Sequence, residues 1–187
     1  MTTLRTHIDL PYIRDVRRAC YTPERLAELY DRPHTVVEVL LRRDGKWHDV
    51  PDADRLWTVL HLDLIDARTL RLFACDCADR ALDRERAAGR EPDPRSVEAV
   101  RVARLYADGK ATADELGAAH AASCDDAARA AARAAAAYAA YDAAACAAAR
   151  AAAACAAAYV AYAADAVAER RWQVEHLAAM LGAGGAA

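Results

Sequence analysis

The sequence predicts an all-α protein, a multi-helix bundle in which bulky N-terminal helices pack on long alanine-rich C-terminal helices. Three observations lead there. From Ala127 to Ala168 roughly two thirds of the positions are alanine, with neither glycine nor proline. Alanine is the best helix former because it loses no side-chain entropy in a helix. Most of the large apolar side chains lie before residue 110. Helix-start signals also recur, at Thr22-Pro23, Asp93-Pro94 and Thr112-Ala113-Asp114-Glu115, where a short polar side chain accepts a free backbone amide or a proline occupies the first helical position.

In order along the chain, Pro11 opens a helix over Tyr12 to Cys20, and Thr22-Pro23 opens one over Pro23 to Tyr30 that Asp31-Arg32-Pro33 stops. His34 to Val50 fits two readings. Val36, Val37, Val39, Leu40 and Leu41 fit a helix face, while the β-branched valines and Asp44-Gly45 fit a hairpin. The string after Gly45 is too short for a second strand, so the helix reading, Thr35 to Arg43, is preferred. A compact helix follows Pro51, Asp52 to Leu60, with Leu56, Trp57 and Leu60 on one side. Asp66 caps the strongest bulky helix, Ala67 to about Ala87, ended by Gly89. Its expected buried stripe is Leu70, Phe73, Ala74, Cys77, Ala81 and Leu82. Asp93-Pro94 opens a helix that Asp108-Gly109 closes, and Thr112 with Glu115 makes a capping box.

Ser123-Cys124-Asp125-Asp126 restarts the helix, and the alanine tract then runs on through Val174, Leu177 and Met180 to Leu181-Gly182. At about 100° per residue Arg129, Arg133, Arg150, Asp165 and Glu169 share one face, with Tyr138 opposite. The pair Tyr138/Tyr141 recurs as Tyr159/Tyr162 three heptads later. So narrow a polar face predicts a covered, tightly packed slab, either within the domain or paired across a dimer. Asp142 falls on the tyrosine side, where an unpaired carboxylate is expensive to bury, so it is expected to cap a new helix and break the rod in two.

The chain reads as one helical domain over 1–181, bulky over 1–110 and alanine-rich over 111–181, with a disordered tail at 182–187. The net charge of −3 sits in residues 111–187, which carry five arginines against eight acids. No basic cluster is interleaved with aromatics, so no nucleic-acid partner is expected. Six cysteines without a secretory signal predict a reduced, cytoplasmic protein. No apolar run approaches the ~20 residues needed to span a membrane.

Chemistry-bearing constellations are few. Cys75-Asp76-Cys77 looks like a metal or redox motif, but residues two apart on a helix point about 200° from each other and do not ligate one ion. The expectation is two small helix residues, one of them buried. Cys146 and Cys155 lie on different faces of one helix, which excludes a disulfide between them. His61 with Asp63 and Asp66 is the one candidate acid/base group, and two of these also suit loop and cap positions. Arg170-Arg171-Trp172 reads as helix surface beside a core tryptophan. No phosphate loop, nucleophile elbow or paired carboxylates occur. No catalytic residue, cofactor or metal is therefore assigned.

The strings Asp54-Arg55-Leu56-Trp57-Thr58-Val59-Leu60, Arg68-Thr69-Leu70-Arg71-Leu72-Phe73-Ala74-Cys75-Asp76-Cys77-Ala78, Pro94-Arg95-Ser96-Val97-Glu98-Ala99-Val100 and Tyr106-Ala107-Asp108-Gly109-Lys110-Ala111-Thr112-Ala113-Asp114-Glu115-Leu116, with the alanine-rich tract after them, resemble an uncharacterised family of helical proteins from bacteria and their phages. Some of its members are labelled immunity proteins of bacterial toxin systems. The resemblance covers about residues 50–181 and implies an all-helical fold and a bacterial or phage origin. It brings no catalytic residues with it. The functional expectation is a non-enzymatic protein-binding module, an immunity protein or phage-encoded inhibitor that neutralises a protein partner. The alternative is a structural homo-oligomer joined through its alanine faces. Arg43 and Trp47, beside the Gly45 turn, are the expected partner-binding anchors, because exposed arginine and aromatic side chains dominate binding energy.

Overall fold

The computed structural model describes residues 4–17, 21–122 and 163–184. They form an all-α, multi-helix protein. A π-helical turn over Tyr12–Arg17 is followed by α1 (Pro23–Leu29), α2 (Val36–Leu41), a short 3-10 turn (Gly45–Trp47), α3 (Asp52–Val59), α4 (Ala67–Ala87), α5 (Pro94–Ala107), α6 (Ala113–Ala122) and α7 (Ala163–Gly184). The expected break at Asp142, the tyrosine repeat, Cys146 and Cys155 lie outside the described residues, as does most of the alanine tract. The chain divides at Ile65/Asp66 and again at Arg170/Arg171, one unit comprising Met1–Ile65 and Arg171–Ala187 and the other Asp66–Arg170. The sequence reading divides it at residue 110 instead, where the side chains change size.

Helix starts follow the local chemistry. Thr22 accepts the Arg25 amide at α1, Asp66 accepts the Thr69 amide at α4, and Asp93 accepts the Arg95 amide ahead of Pro94. At α6 the Glu115 amide donates to Thr112 Oγ1 at 3.2 Å and the Thr112 amide to Glu115 Oε2 at 2.7 Å, the expected capping box. A second capping box, not foreseen, joins Thr35 and Glu38 at the start of α2. Arg32 and the Thr35 backbone stabilise the Glu38 carboxylate and hold its pKa down to about 2. This cap settles the ambiguous segment as helix. Gly45 has φ of 50° and starts the 3-10 turn, so no hairpin forms there.

In the first unit Ile8 and His34 form an antiparallel bridge, with the Ile8 amide 2.7 Å from the His34 carbonyl and the reverse bond at 2.9 Å. Ile8, Ile13, Leu29, Leu40, Leu56, Leu60 and Ile65 are buried core residues. Arg55 is buried among them, 0% exposed. Its Nε donates to the Val50 carbonyl at 3.1 Å, Nη1 to Val39 at 2.9 Å and Nη2 to Trp47 at 2.5 Å. Asp52 supplies the counter-charge, 3.7 Å from Arg55, 2.5 Å from Arg43 and 3.5 Å from Arg171. Burial, with Arg43 and Arg171 nearby, brings the Arg55 pKa down to about 10, so the side chain keeps its proton at neutral pH.

In the second unit α5 packs on both α4 and α6. Cys75, Ala78 and Ala81 of α4 lie with Val100 and Ala103 of α5 and Leu116 of α6 in one cluster, where small side chains let the helix backbones approach closely. Arg104 of α5 pairs with Asp76 at 2.6 Å and with Asp79. Glu169, which the sequence places on the polar face of the alanine tract, is 2% exposed, 2.8 Å from Arg80 and 2.6 Å from Arg84 of α4. Two guanidinium groups make that burial tolerable.

Both Cys75 and Cys77 are buried, whereas one was expected to be. They point to different sides of α4. Cys75 faces α5, with its sulfur 4.0 Å from the Val100 carbonyl, and Cys77 feels the Glu169 carboxylate. Burial pushes the Cys75 thiol up to about 12 and the Cys77 thiol well above its ordinary value. Both are expected to resist alkylation by iodoacetamide near neutral pH in the folded protein and to react after unfolding in urea, as read by peptide mass spectrometry. A second expectation concerns Arg55. Arg55→Ala, which takes the guanidinium donors from the buried Val39 and Val50 carbonyls while Asp52 keeps Arg43 and Arg171, is expected to lose about 3 kcal/mol. Arg55→Lys should recover little, because one ammonium does not reproduce a planar fork reaching three acceptors. Urea midpoints measure both.

Candidate functional site

The two expected anchors occupy structural positions. Trp47 is 1% exposed and belongs to the core, which corrects its reading as an exposed contact. The left-handed Gly45 turns the chain so that the indole faces inward, where burying so large an apolar ring outweighs presenting it to solvent. Its ring meets Tyr30 edge-on at 5.4 Å and His34 at 5.3 Å, and the Arg55 guanidinium lies 5.6 Å from its centre. Arg43 is partly buried, with Nη1 donating to the Leu40 carbonyl at 2.6 Å and Nη2 to Asp52 at 2.5 Å. Its charge is engaged within the unit.

His61 and Asp63 do meet, with Nδ1 and Oδ2 3.1 Å apart, but the Asp63 amide also points at His61 Nδ1 at 3.2 Å. His61 is not among the residues lining the cavity described next. Asp66 is spent as the cap of α4. Burial raises its carboxyl pKa, but hydrogen bonds led by those from Thr69 outweigh this and leave it below the usual range. Arg171 pairs with Asp52, and Trp172 stacks on His176 at 4.7 Å within α7. Among the described residues no three His, Cys, Asp or Glu side chains converge as a metal site requires.

What the first unit does hold is a cavity of about 330 Å³. Four aromatic rings, Tyr21, Tyr30, Trp47 and Trp57, line it together with Leu26, Leu29 and other aliphatic side chains, and Asp54, Arg55 and Thr58 are its polar members. Tyr21 and Asp54 are half-buried, and the phenol donates to Asp54 Oδ2. Trp57 is also half-buried, with the Arg17 guanidinium 4.4 Å from its ring centre and donating to its carbonyl. Burial, helped by Asp54, keeps the Tyr21 phenol well above its ordinary pKa, and burial pushes Tyr30 up to about 12. Both stay neutral at physiological pH. Trp47 contributes a buried indole N–H that has no hydrogen-bond partner among the described residues.

The elements that build this wall are local. α1 presents Leu26 and Leu29, the 3-10 turn brings Trp47, and α3 brings Asp54, Arg55, Trp57 and Thr58. An apolar space of this size with a few fixed polar groups suits non-covalent capture of an apolar group. Sequence reasoning did not find it, because Tyr21, Asp54 and Trp57 sit in no motif and a charged residue such as Arg55 is normally solvated.

His34 backs Trp47 and is 0% exposed, its Nε2 3.1 Å from the Leu29 carbonyl. Burial, and then Arg32, lowers its pKa below the ordinary 6.5, so the folded state holds it neutral. The unfolded chain takes up that proton first as pH falls. His34's contribution to stability is therefore complete above its unfolded pKa of about 6.5 and declines as pH drops below it. The urea midpoint is expected to be lower near pH 5.5 than near pH 7.5, and His34→Gln should reduce that difference.

In comparisons with protein-family models, with curated proteins and with solved structures, nothing matches this chain.

Proposed function

We propose that the chain is a non-enzymatic binding protein that neutralises a protein partner, as an immunity protein or a phage-encoded inhibitor does. The observation that carries this reading is the preformed aromatic cavity of the first unit, about 330 Å³, which offers a partner's apolar side chain a desolvated seat. The charged groups around it support the same reading. Arg43, Arg55 and Arg171 converge on Asp52, and Asp54 accepts the Tyr21 phenol, so these groups hold the wall in shape. A receptor already in its bound shape loses little entropy on association, which favours tight capture by a modest surface.

The bacterial or phage setting and the toxin-like partner come from the sequence resemblance, and the cavity supplies the place of contact. Partner binding is expected to need no cofactor and to saturate at a fixed ratio of chains. In a pull-down from the native host the wild-type protein is expected to enrich one protein stoichiometrically. Leu26→Trp, which fills the cavity from α1, is expected to lower that capture by about tenfold while keeping the helical circular dichroism. Equal capture by the filled variant, or no stoichiometric capture by the wild type, would overturn the proposal.

A further inference from the structure

We infer that the cavity seats the side chain of a tryptophan from the bound protein, with its indole N–H donated to the carboxylate of Asp54. The inference rests on the cavity being the binding site proposed above, and names the one side chain that enters it.

The cavity has a floor and a mouth. Tyr21, Asp54 and Trp57 are half-buried, whereas no other lining residue is more than 9% exposed. A group arriving from solvent therefore meets these three first. Asp54 and Trp57 lie three residues apart in α3 and share one face of that helix, and the Tyr21 phenol donates to Asp54 Oδ2. Both ends of that bond belong to lining residues, so the carboxylate is part of the wall at the mouth.

The mouth calls for a donor. An ionised carboxylate offers about four lone-pair positions, and the phenol occupies one of them with its only proton. An N–H or O–H that reaches Asp54 makes a charge-assisted hydrogen bond, which is stronger than a bond between neutral groups.

Size and shape then choose among the side chains that carry such a donor. An apolar cavity of about 150 Å³ holds one benzene ring, and this one is about 330 Å³, so a bicyclic ring with its Cβ fits. Tyrosine, lysine and arginine carry their donors at the tip. On entry the tip lies deepest, among buried residues such as Leu29, Val39 and Trp47, away from Asp54. Tryptophan carries its N–H on the flank of the ring, closer to its own backbone, while the six-membered ring runs ahead into the apolar floor. Such a side chain, apolar at one end and a donor at the other, matches a cavity with an apolar floor and an acceptor at its rim.

The test is a titration of the full chain, its aspartate carboxyl carbons isotope-labelled for NMR, with N-acetyltryptophanamide and with its 1-methylindole analogue, which keeps the ring and loses the donor. The parent amide is expected to bind about tenfold more tightly, with the Asp54 carboxyl signal moving far more for it than for the methylated probe. In Asp54→Ala, which removes the acceptor at a helix position that alanine suits, the two affinities should become equal. If that variant does not fold, the wild-type affinities and the Asp54 signal still decide. Equal affinities in the wild type, no binding by either probe, or equally tight binding of N-acetyltyrosinamide or N-acetylleucinamide would overturn the inference. So would a tenfold ratio that persists in Asp54→Ala, since it would reflect only the bulk of the methyl group. A captured protein that N-acetyltryptophanamide does not displace would remove this inference and keep the binding-protein reading. Asp54-dependent binding of the amide with no captured protein would remove that reading and keep an indole-selective pocket.

Discussion

The first unit depends on burying one guanidinium. An arginine taken fully out of water loses its hydration, and the loss is tolerable only if its donors are taken up and a counter-charge stands nearby. Arg55 meets both conditions through the carbonyls of Val39, Trp47 and Val50 and through Asp52. These carbonyls belong to α2, to the 3-10 turn and to the approach to α3. One planar fork therefore sets the spacing of three backbone segments. The Trp47 ring is placed by the same bond, and with it the Tyr30 and His34 rings that pack edge-on against it.

The second unit solves its packing by other means. α4 and α5 meet through Cys75, Ala78, Ala81, Val100 and Ala103, side chains that bury little area each and work by letting backbones come close. Specific ion pairs then set the register of the helices. Arg104 grips Asp76 and Asp79 one turn apart on α4, and these two carboxylates raise its pKa against the opposing effect of burial. Arg80 and Arg84, again one turn apart, hold Glu169. The Schellman endings of α4 and α5 complete the pattern, with Gly89 and Gly109 left-handed at φ of 74° and 70°. The buried thiols fit the same scheme as small apolar residues, since burial keeps them protonated.

A cavity beside so constrained a wall links packing to function. Its aromatic side chains are held by neighbours that do not depend on a ligand: Arg17 over Trp57, Asp54 on Tyr21, Arg55 under Trp47. Rigid rings around open space cost little to bind against, because their rotamers are already fixed. Filling such space from within would relieve a packing defect worth a few kcal/mol in an ordinary core.

The sequence by itself determined the helical class and most helix ends. Proline, threonine and aspartate caps, and glycines just past the ends, act within a few residues and are legible locally, as at Pro23, Asp66, Asp93, Thr112, Gly89 and Gly109. The Thr35 and Glu38 box was equally legible and was obscured by the β-branched residues around it. Tertiary structure alone decided which charges and rings go inside. Arg43 and Trp47 look like surface anchors in a one-dimensional reading, because neither helical periodicity nor composition says that three distant carbonyls and a carboxylate will converge on the Arg55 guanidinium beside them. The burial of Glu169 between Arg80 and Arg84 was hidden for the same reason. Caps are satisfied by neighbours in sequence, whereas a buried charge is satisfied by neighbours in space, and those exist only once the chain has folded.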